Sequence, residues 1–513
     1  MSHTPAKSKK QMHGISKARG CSHLELGSFS RMFCNETSWA QDLNLEDKPE
    51  EVERIAALLG GINGVMHDTR LSTPDSCVPA AYTFFAQFID HDVTLDTTSD
   101  LHGGPIKHQL NFLAGCPHAY GGGVNPHTHR LPNLRSASLD LDCVYGFGPE
   151  ASPHLYDDSQ PGRLLVGNKE NPNDVPRNRV GTALIGDPRN DENIFVSQMQ
   201  LLFLKFHNKR LVGKNFEEAQ QDVRYHYQYL VWNDFLKRVC DEAVFGFANT
   251  EIHKAAKTGE GFPKFKLVDD CGRITMPVEF SVAAYRFGHS LVRSIYPINA
   301  DYPAIELFDE RFGTEGFSAV PKALTVDWSF LLDVNECQNY VMSKSIDHLL
   351  TDELIRLPNP VVGKFASEND RSLAFRNLLR GYVLHLPSGQ KVASALQNSG
   401  YPINGLSSEE IEAVLAKKFE ASMAKELSKH TPLFFYIMLE SSIKNNGKRL
   451  GSVGSAILTE VFGTMLLHCN SFLKPTVETN GCEAMADRDI WQPDACLRQN
   501  GDFTLADFVR YVQ

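Results

Sequence analysis

Ala81-Tyr82-Thr83-Phe84-Phe85-Ala86-Gln87-Phe88-Ile89-Asp90-His91-Asp92 is the stretch that decides how this chain is read. An apolar, aromatic-rich run leads into a polar end, and the whole reads as one helix. Gln87 and His91 stand at i and i+4 and share a face, with Asp90 beside them. A polar trio on one side of such a helix is costly to bury without partners. Asp92 points away from that face and is placed to serve a different site. Alone, the stretch also describes a surface histidine or a satisfied core one. Its weight comes from three further pieces downstream in the chain.

The second piece is Gly186-Asp187-Pro188-Arg189-Asn190-Asp191-Glu192-Asn193. Pro188 and Asn190-Asp191 mark a turn able to cap a helix over 194–212, whose Leu and Phe content predicts burial. An Arg and a Glu at its mouth also fit a plain capping salt bridge. The third piece is Tyr285-Arg286-Phe287-Gly288-His289, inside a helical run over 280–295. Gly288 inside a helix costs ~1 kcal/mol against Ala, which makes sense if something flat approaches the backbone beside His289. Arg376-Asn377-Leu378-Leu379-Arg380 is the fourth, again helical and followed by a break at Gly381.

In this order and at these intervals, the four pieces resemble the animal-type haem peroxidases of the peroxidase–cyclooxygenase superfamily, from about Gly60 to beyond Ser452. The resemblance implies a mainly α fold with little β-sheet: one large domain over 21–513, with haem b between a distal and a proximal helix. It makes His91 the distal histidine, Gln87 its neighbour and Arg189 the distal arginine. His289 becomes the proximal iron ligand and Asn377 the amide that accepts its other ring N–H. Arg286 and Arg380 match propionate-binding arginines. Asp90 and Glu192 match the carboxylates that form haem esters in mammalian members. Asn193 stands where a methionine makes a third link, so that link is not expected. The phrase 376–381, followed by Leu386-Pro387-Ser388-Gly389-Gln390, is similar to bacterial members.

A fifth piece is Ser136-Ala137-Ser138-Leu139-Asp140-Leu141-Asp142, then Val144-Tyr145-Gly146. Alternating oxygen side chains read as an extended loop presenting hard ligands on one side, or as a strand with a polar face. With Asp92, such a loop can supply the roughly six to eight oxygens that Ca²⁺ takes. The family has a calcium site here, which implies Asp92, Ser136, Ser138, Asp140 and Asp142 as ligands. Asp142 replaces a serine of mammalian relatives and adds negative charge.

The 513 residues, 42% hydrophobic, can bury a sizeable core. A net charge of −11, from 51 basic and 62 acidic residues, argues against a nucleic-acid surface. The tail Met1 to Gly20 carries Lys7, Lys9, Lys10, Lys17 and Arg19 without an acid and is expected to be disordered. No apolar segment comes after those lysines, so a secretory signal is not expected. Eleven scattered cysteines without a C-x-x-C pair fit reduced thiols. The chain is therefore expected to be cytoplasmic, or exported without a cleavable signal peptide. Helical signals also cover 216–245, 343–356, 370–382, 407–427 and 432–443. The apolar run 453–473, broken by Glu460 and His468, reads as a core helix and not a membrane span. His127 and His129 lie in a Gly/Pro loop and read as surface residues.

The activity implied is reduction of H₂O₂ through a ferryl intermediate, with oxidation of a small aromatic or halide donor. In that chemistry His91 moves a proton between the peroxide oxygens, and Arg189 stabilises the charge on the leaving oxygen. Two alternatives stand. A fatty-acid dioxygenase of the same superfamily places a radical-forming Tyr three residues before the proximal His. Here that position is Arg286, and Tyr285 is one residue further away. A haem-free adhesion or scaffold module would be expected to have lost His91, Arg189 or His289, and all three are present.

Overall fold

Helix α2 (Ala81–Val93) is buried all round, and only Gln87 and Asp90 along it escape full burial. Two of its rings set its position. Phe84 stacks on Phe195 at 4.4 Å and 16°, and Phe88 stacks on Phe203 at 4.4 Å and 4°. Both partners lie on α3 (Ile194–Arg210), which is itself buried on nearly all sides. Offset ring pairs add to plain area burial, so α2 and α3 form a rigid pair at the centre of the core. The other long helices are α1 (Pro49–Gly60), α4 (Phe216–Tyr229), α5 (Glu242–Thr258), α6 (Leu373–Val383), α7 (Gly389–Asn398), α8 (Ser408–Leu415), α9 (Leu433–Lys444), α10 (Ser452–His468) and α11 (Leu505–Val512).

This computed structural model describes residues 27–70, 72–95, 132–314, 316–335, 339–358, 368–474, 490–499 and 501–513. The basic tail and the His127–His129 loop lie outside them. Sheet is sparse among the described residues. Gly27–Ser30 pairs antiparallel with Pro132–Asn133 and parallel with Met276–Pro277. Asp75–Pro79 pairs with Met342–Lys344, and Ile295–Tyr296 with Ile305–Glu306. These short ladders pin loops and form no layer of their own. The expected mainly α architecture is what is found.

Boundaries depart from the periodicity in instructive ways. The run expected to be helical over 216–245 is α4 continued by a π-helical stretch, Leu230–Leu236, and a final turn, Lys237–Val239. It stops at Cys240 because the Asp241 carboxylate caps α5, accepting from Ala243 and Val244 N–H. The helix expected over 343–356 is mostly absent. Ser343 and Lys344 are strand, and helix returns only at Asp352–Ile355. The helix expected over 407–427 divides into α8 and Ala421–Leu427. Gly381 does not end α6, which runs on to Val383. The apolar run 453–473 is the buried helix α10, ending at His468. No helix among the described residues is long and apolar enough to cross a membrane.

The proximal segment departs most. In place of an α-helix over 280–295 there is a π-helical turn, Glu279–Ala283, followed by a 3₁₀ helix, Ala284–Leu291. Glu279 anchors it. Its carboxylate is fully buried and accepts the Met32 N–H at 3.0 Å and the Phe33 N–H at 3.3 Å. Burial pushes its pKa above the ordinary carboxylate range, and the nearby Arg31 guanidinium opposes that rise.

Glu279→Ala leaves both buried N–H groups without their acceptor, at a cost of about 1–3 kcal/mol each. The expected outcome is a clearly lower urea midpoint. A midpoint equal to wild type would show that the anchor is dispensable.

Candidate active site

His91 sits in the last turn of α2, with its side chain buried. Its Nδ1 is 2.7 Å from Asn190 Oδ1, and its Nε2 is 3.4 Å from Glu192 Oε1. Gln87, one turn earlier, donates from Nε2 to the same Glu192 Oε1. Gln87 Oε1 accepts from Asn193 Nδ2 at 3.1 Å, while Asn193 Oδ1 caps α3 by accepting from Phe195 and Val196 N–H. The residue standing at the methionine position therefore starts a helix and steers Gln87. Behind Glu192, Gly316 holds a φ of +82°, and an added Cβ would lie 2.3 Å from the Asp191 carbonyl oxygen. Only glycine fits that crossing.

Arg189 lies in a 3₁₀ turn, Pro188–Asp191, capped by the Asp187 carboxylate. Its Nη2 donates to the carbonyls of His91 at 3.0 Å and Thr94 at 2.6 Å, tying it to the end of α2. Its Nε and Nη2 also bond Asp187, at 3.1 and 2.8 Å. Asp187 is wholly buried and accepts as well from Arg135, at 3.0 and 2.6 Å. Burial by itself would raise the Asp187 pKa, but Arg189 and then Arg135 hold it well below the ordinary carboxylate range. Arg189 is thereby fixed at the end of α2 beside His91, with the Glu192 carboxylate at the ring's Nε2.

On the opposite side stands His289. Its Nδ1 is 3.2 Å from Asn377 Nδ2 on α6, and its Nε2 has no hydrogen-bond partner among the described residues. Burial, then the Arg286 charge, push the ring pKa down to about 3. As placed, the Asn377 amide donates to Nδ1. Turned by half a rotation, its oxygen would accept an Nδ1–H and leave Nε2 as the free lone pair. Arg380, one turn along α6, also weighs on the ring. A Cβ built on Gly288 would meet nothing within 4 Å, so there is open space beside His289. The two sides are joined by Arg286 Nη1, which is 3.3 Å from Asp90 Oδ2. Burial opposes ionisation of Asp90, but Arg286, His91, Arg189 and the Thr94 hydroxyl together hold the group below its ordinary range. No Lys or Arg stands at i+4 from Asp90 in the sequence, and the fold supplies the partner from a distant element. His91, Gln87, Arg189, Asp90, Glu192, Arg286, His289, Asn377 and Arg380 are thus gathered along one front. A separate groove of about 700 Å³, lined by Lys209, Arg210, Trp491 and Tyr511, contains none of them.

The acidic loop reaches the back of α2. It is a series of bends, not a strand, with Leu141 at φ +60° before a short helix, Asp142–Tyr145. Asp92 is fully buried and accepts from Leu141 N–H at 3.3 Å. Its pKa is driven well up by burial, then by Asp140 and Asp142. Ser136 and Ser138 Oγ lie 2.8 and 3.1 Å from Asp140 Oδ2, and Asp140 Oδ1 is buried without a hydrogen-bond partner. Among the described residues no three His, Cys, Asp or Glu side chains already converge as a metal cluster. Asn190, which touches His91 directly, enters the sequence reading only as a turn residue beside Arg189 and not as a partner of the histidine.

Asp187→Asn should destabilise the protein by about 3–5 kcal/mol at neutral pH, because it removes one side of a buried ion network. The folded pKa of Asp187 lies below its unfolded value of about 3.9, so its contribution is present above that pH and is lost as pH falls through it. The stability gap between variant and wild type should therefore narrow below about pH 4. A gap independent of pH in denaturation measurements would rule out the ionised pair.

Residues 107–318 match the family model described as animal haem peroxidase. The match spans the acidic loop, Arg189, Glu192 and His289; α2 and Asn377 fall outside it. A peroxidase-like protein of Margaritifera margaritifera is 29% identical over 261 residues, 42% of this chain and 32% of that protein. The chain thus aligns with about a third of that curated relative's length. Among solved structures, peroxidase A of Dictyostelium discoideum is 13% identical, with a TM-score of 0.50 and 86% of both chains covered. A fatty acid alpha-dioxygenase of Arabidopsis thaliana is 16% identical, with a TM-score of 0.55, covering 87% of this chain and 72% of that one. At such identities these two report the fold alone. Residues 107–318 of this chain thus match an animal haem peroxidase domain, within a fold similar to that of those two solved structures.

Proposed function

We propose that the protein is a haem-dependent peroxidase, reducing hydrogen peroxide and oxidising a small aromatic or halide donor. One observation carries the reading. His289 is held through Nδ1 by the Asn377 amide with Nε2 left over, and Arg286 beside it reaches Asp90 on the helix that presents His91 next to the Arg189 guanidinium. The open space at Gly288 and the unpartnered Nε2 fit a flat cofactor ligated from that side. In this reading His289 Nε2 holds the iron, and Arg286 and Arg380 face the propionates. Asp90 and Glu192 are the carboxylates offered for ester links. Haem, when bound, supplies the redox centre at which the peroxide is reduced.

The chain's own groups do the rest. His91 Nε2 takes a proton from one peroxide oxygen and returns it to the other, work worth about 10²–10⁴-fold for a positioned acid–base group. Arg189 is always charged, and its donors fix it against the His91 and Thr94 carbonyls, so its field is in place before charge develops. Gln87 orients Glu192 toward His91. The fatty-acid dioxygenase alternative needs a tyrosine below the cofactor. Tyr285 instead donates its hydroxyl to the Ala86 carbonyl at 3.1 Å and is buried against Phe280 and Phe287. That geometry favours the peroxidase reading.

We propose further that Ca²⁺ binds among Asp92, Ser136, Ser138, Asp140 and Asp142. Support comes from crowded carboxylates that raise the Asp92 pKa and from the partnerless Asp140 oxygen. A divalent cation would relieve both.

The absorption spectrum of purified protein, before and after H₂O₂ with a donor panel, tests the main reading. His289→Ala should abolish or greatly weaken the Soret band of bound haem; an unchanged spectrum overturns the ligand assignment. His91→Ala should keep haem and slow peroxide reduction by about 10²–10⁴-fold, and stopped-flow rates within a few-fold of wild type would exclude it as the base. Acidified butanone then separates free haem from haem esterified through Asp90 and Glu192. Stripping Ca²⁺ should lower both thermal stability and the rate of peroxide reduction, since Asp92 adjoins His91. Fully active protein containing no calcium on metal analysis would refute the calcium site.

A further inference from the structure

A buried chain of two amides runs from the back of His91. Asn190 Oδ1 lies 2.7 Å from His91 Nδ1, Asn190 Nδ2 donates to Gln200 Oε1 at 2.8 Å, and Gln200 Nε2 donates to the Cys143 carbonyl at 3.2 Å. Asn190 and Gln200 are both wholly buried. The direction of this chain is set at its far end. A backbone carbonyl only accepts, so the Gln200 atom facing Cys143 has to be the NH₂ group. The Gln200 oxygen then faces Asn190, and only the Asn190 NH₂ can satisfy it. That leaves the Asn190 oxygen toward His91, and an oxygen with no proton can only accept. Turning either amide would set two donors or two acceptors against each other, a buried mismatch costing about 1–3 kcal/mol.

We propose that Asn190 and Gln200 are positioning residues that lock the neutral His91 ring as the Nδ1–H tautomer, so that its only basic nitrogen is Nε2, on the side facing Glu192. The inference rests on the peroxidase reading for its use, but not for its geometry. A ring in the other tautomer would turn an N–H toward the peroxide and could not accept its proton. The lock also opposes Glu192, whose carboxylate lies 3.4 Å from Nε2 and by itself would favour a proton there. Cys143, where the chain of amides ends, is next to Asp142 of the acidic loop. The orientation of the distal histidine is thereby referred to the same loop that packs behind α2.

The test is ¹⁵N NMR of full-length protein labelled at histidine, recorded at a pH where the ring is neutral and, if haem is bound, in its diamagnetic ferrous–CO form. His91 is assigned by its loss in His91→Gln. Wild type should show a protonated Nδ1 and a bare, strongly downfield Nε2. Asn190→Asp keeps an oxygen toward the ring and should retain that pattern. Gln200→Met, at a residue bonded to Asn190 and the Cys143 carbonyl and not to His91, frees the Asn190 amide to turn and should shift the ring toward the Nε2–H pattern. The same variant should slow peroxide reduction by roughly 10–100-fold, the usual cost of losing an outer group that orients a functional histidine. An Nε2–H ring in wild type, or an unchanged pattern in folded Gln200→Met, overturns the proposal. If the tautomer is as expected but peroxide is not reduced, the peroxidase reading fails and the positioning stands. Rapid reduction with an Nε2–H ring has the reverse meaning.

Discussion

Asp187 is the constraint on which the His91 side of the site depends. It is a fully buried carboxylate, and it survives ionised because two guanidiniums and the Arg189 N–H converge on it. That convergence fixes Arg135, which comes just after the short strand Pro132–Asn133, and Arg189, whose remaining bonds clasp the end of α2. The loop before the acidic segment, the mouth of α3 and the last turn of α2 are thus held by one charge. Buried ion networks are weak sources of net stability, but breaking one side is costly. Such a network sets geometry, and here the geometry is that of a positive group beside a histidine.

Packing and polarity divide the work on α2. Phe84 and Phe88 dock it on α3 through stacked rings, which fixes its rotation about its own axis. With the rotation set, Gln87, Asp90 and His91 face Glu192, Arg286 and Asn190, and Asp92 faces the acidic loop. Each polar residue then meets a partner from a different element: Glu192, Arg286, Asn190 and Leu141 respectively. A helix with this many buried polar groups is tolerable only because none of these four lacks a partner.

The features legible in the sequence are the local ones. The α2 reading needs only periodicity within a dozen residues, and the capping turn before α3 needs only Asp, Pro and Asn in order. The first is present almost residue for residue; the second is present as a 3₁₀ turn, but the residue that caps α3 is Asn193 and the helix ends at Arg210. The helix expected over 343–356 fails because Met342–Lys344 pairs with Asp75–Pro79, a partner more than 260 residues away that no local pattern reveals. The run 216–245 fails at Cys240 for a different reason. By periodicity Asp241 is one more polar residue on a helix, whereas its carboxylate starts the next one. Asn190 reads only as a turn residue because an amide beside an arginine carries no sign of a histidine partner until the fold brings Gln200 and His91 to either side of it.

The proximal segment shows how a misjudged element can leave the face of a site intact. Read as an α-helix, the run places residues about 100° apart, so Arg286 and His289, three apart, lie near each other but not in line. In the observed 3₁₀ helix, residues three apart eclipse. Arg286 and His289 then point the same way, and Tyr285 is turned off by about 120°. The tighter winding therefore sharpens the distinction drawn from the sequence. The position in line with His289 belongs to a guanidinium paired with Asp90, and the neighbouring tyrosine is carried into the core, where its hydroxyl meets the Ala86 carbonyl. Short 3₁₀ stretches have poorer hydrogen bonds than α-helix, and this one is held by its surroundings: the Glu279 anchor at its start and the Phe280, Tyr285 and Phe462 rings packed around it. The winding that aligns the cation with the histidine is thus imposed by tertiary contacts, which is why periodicity alone assigns it to the wrong helix.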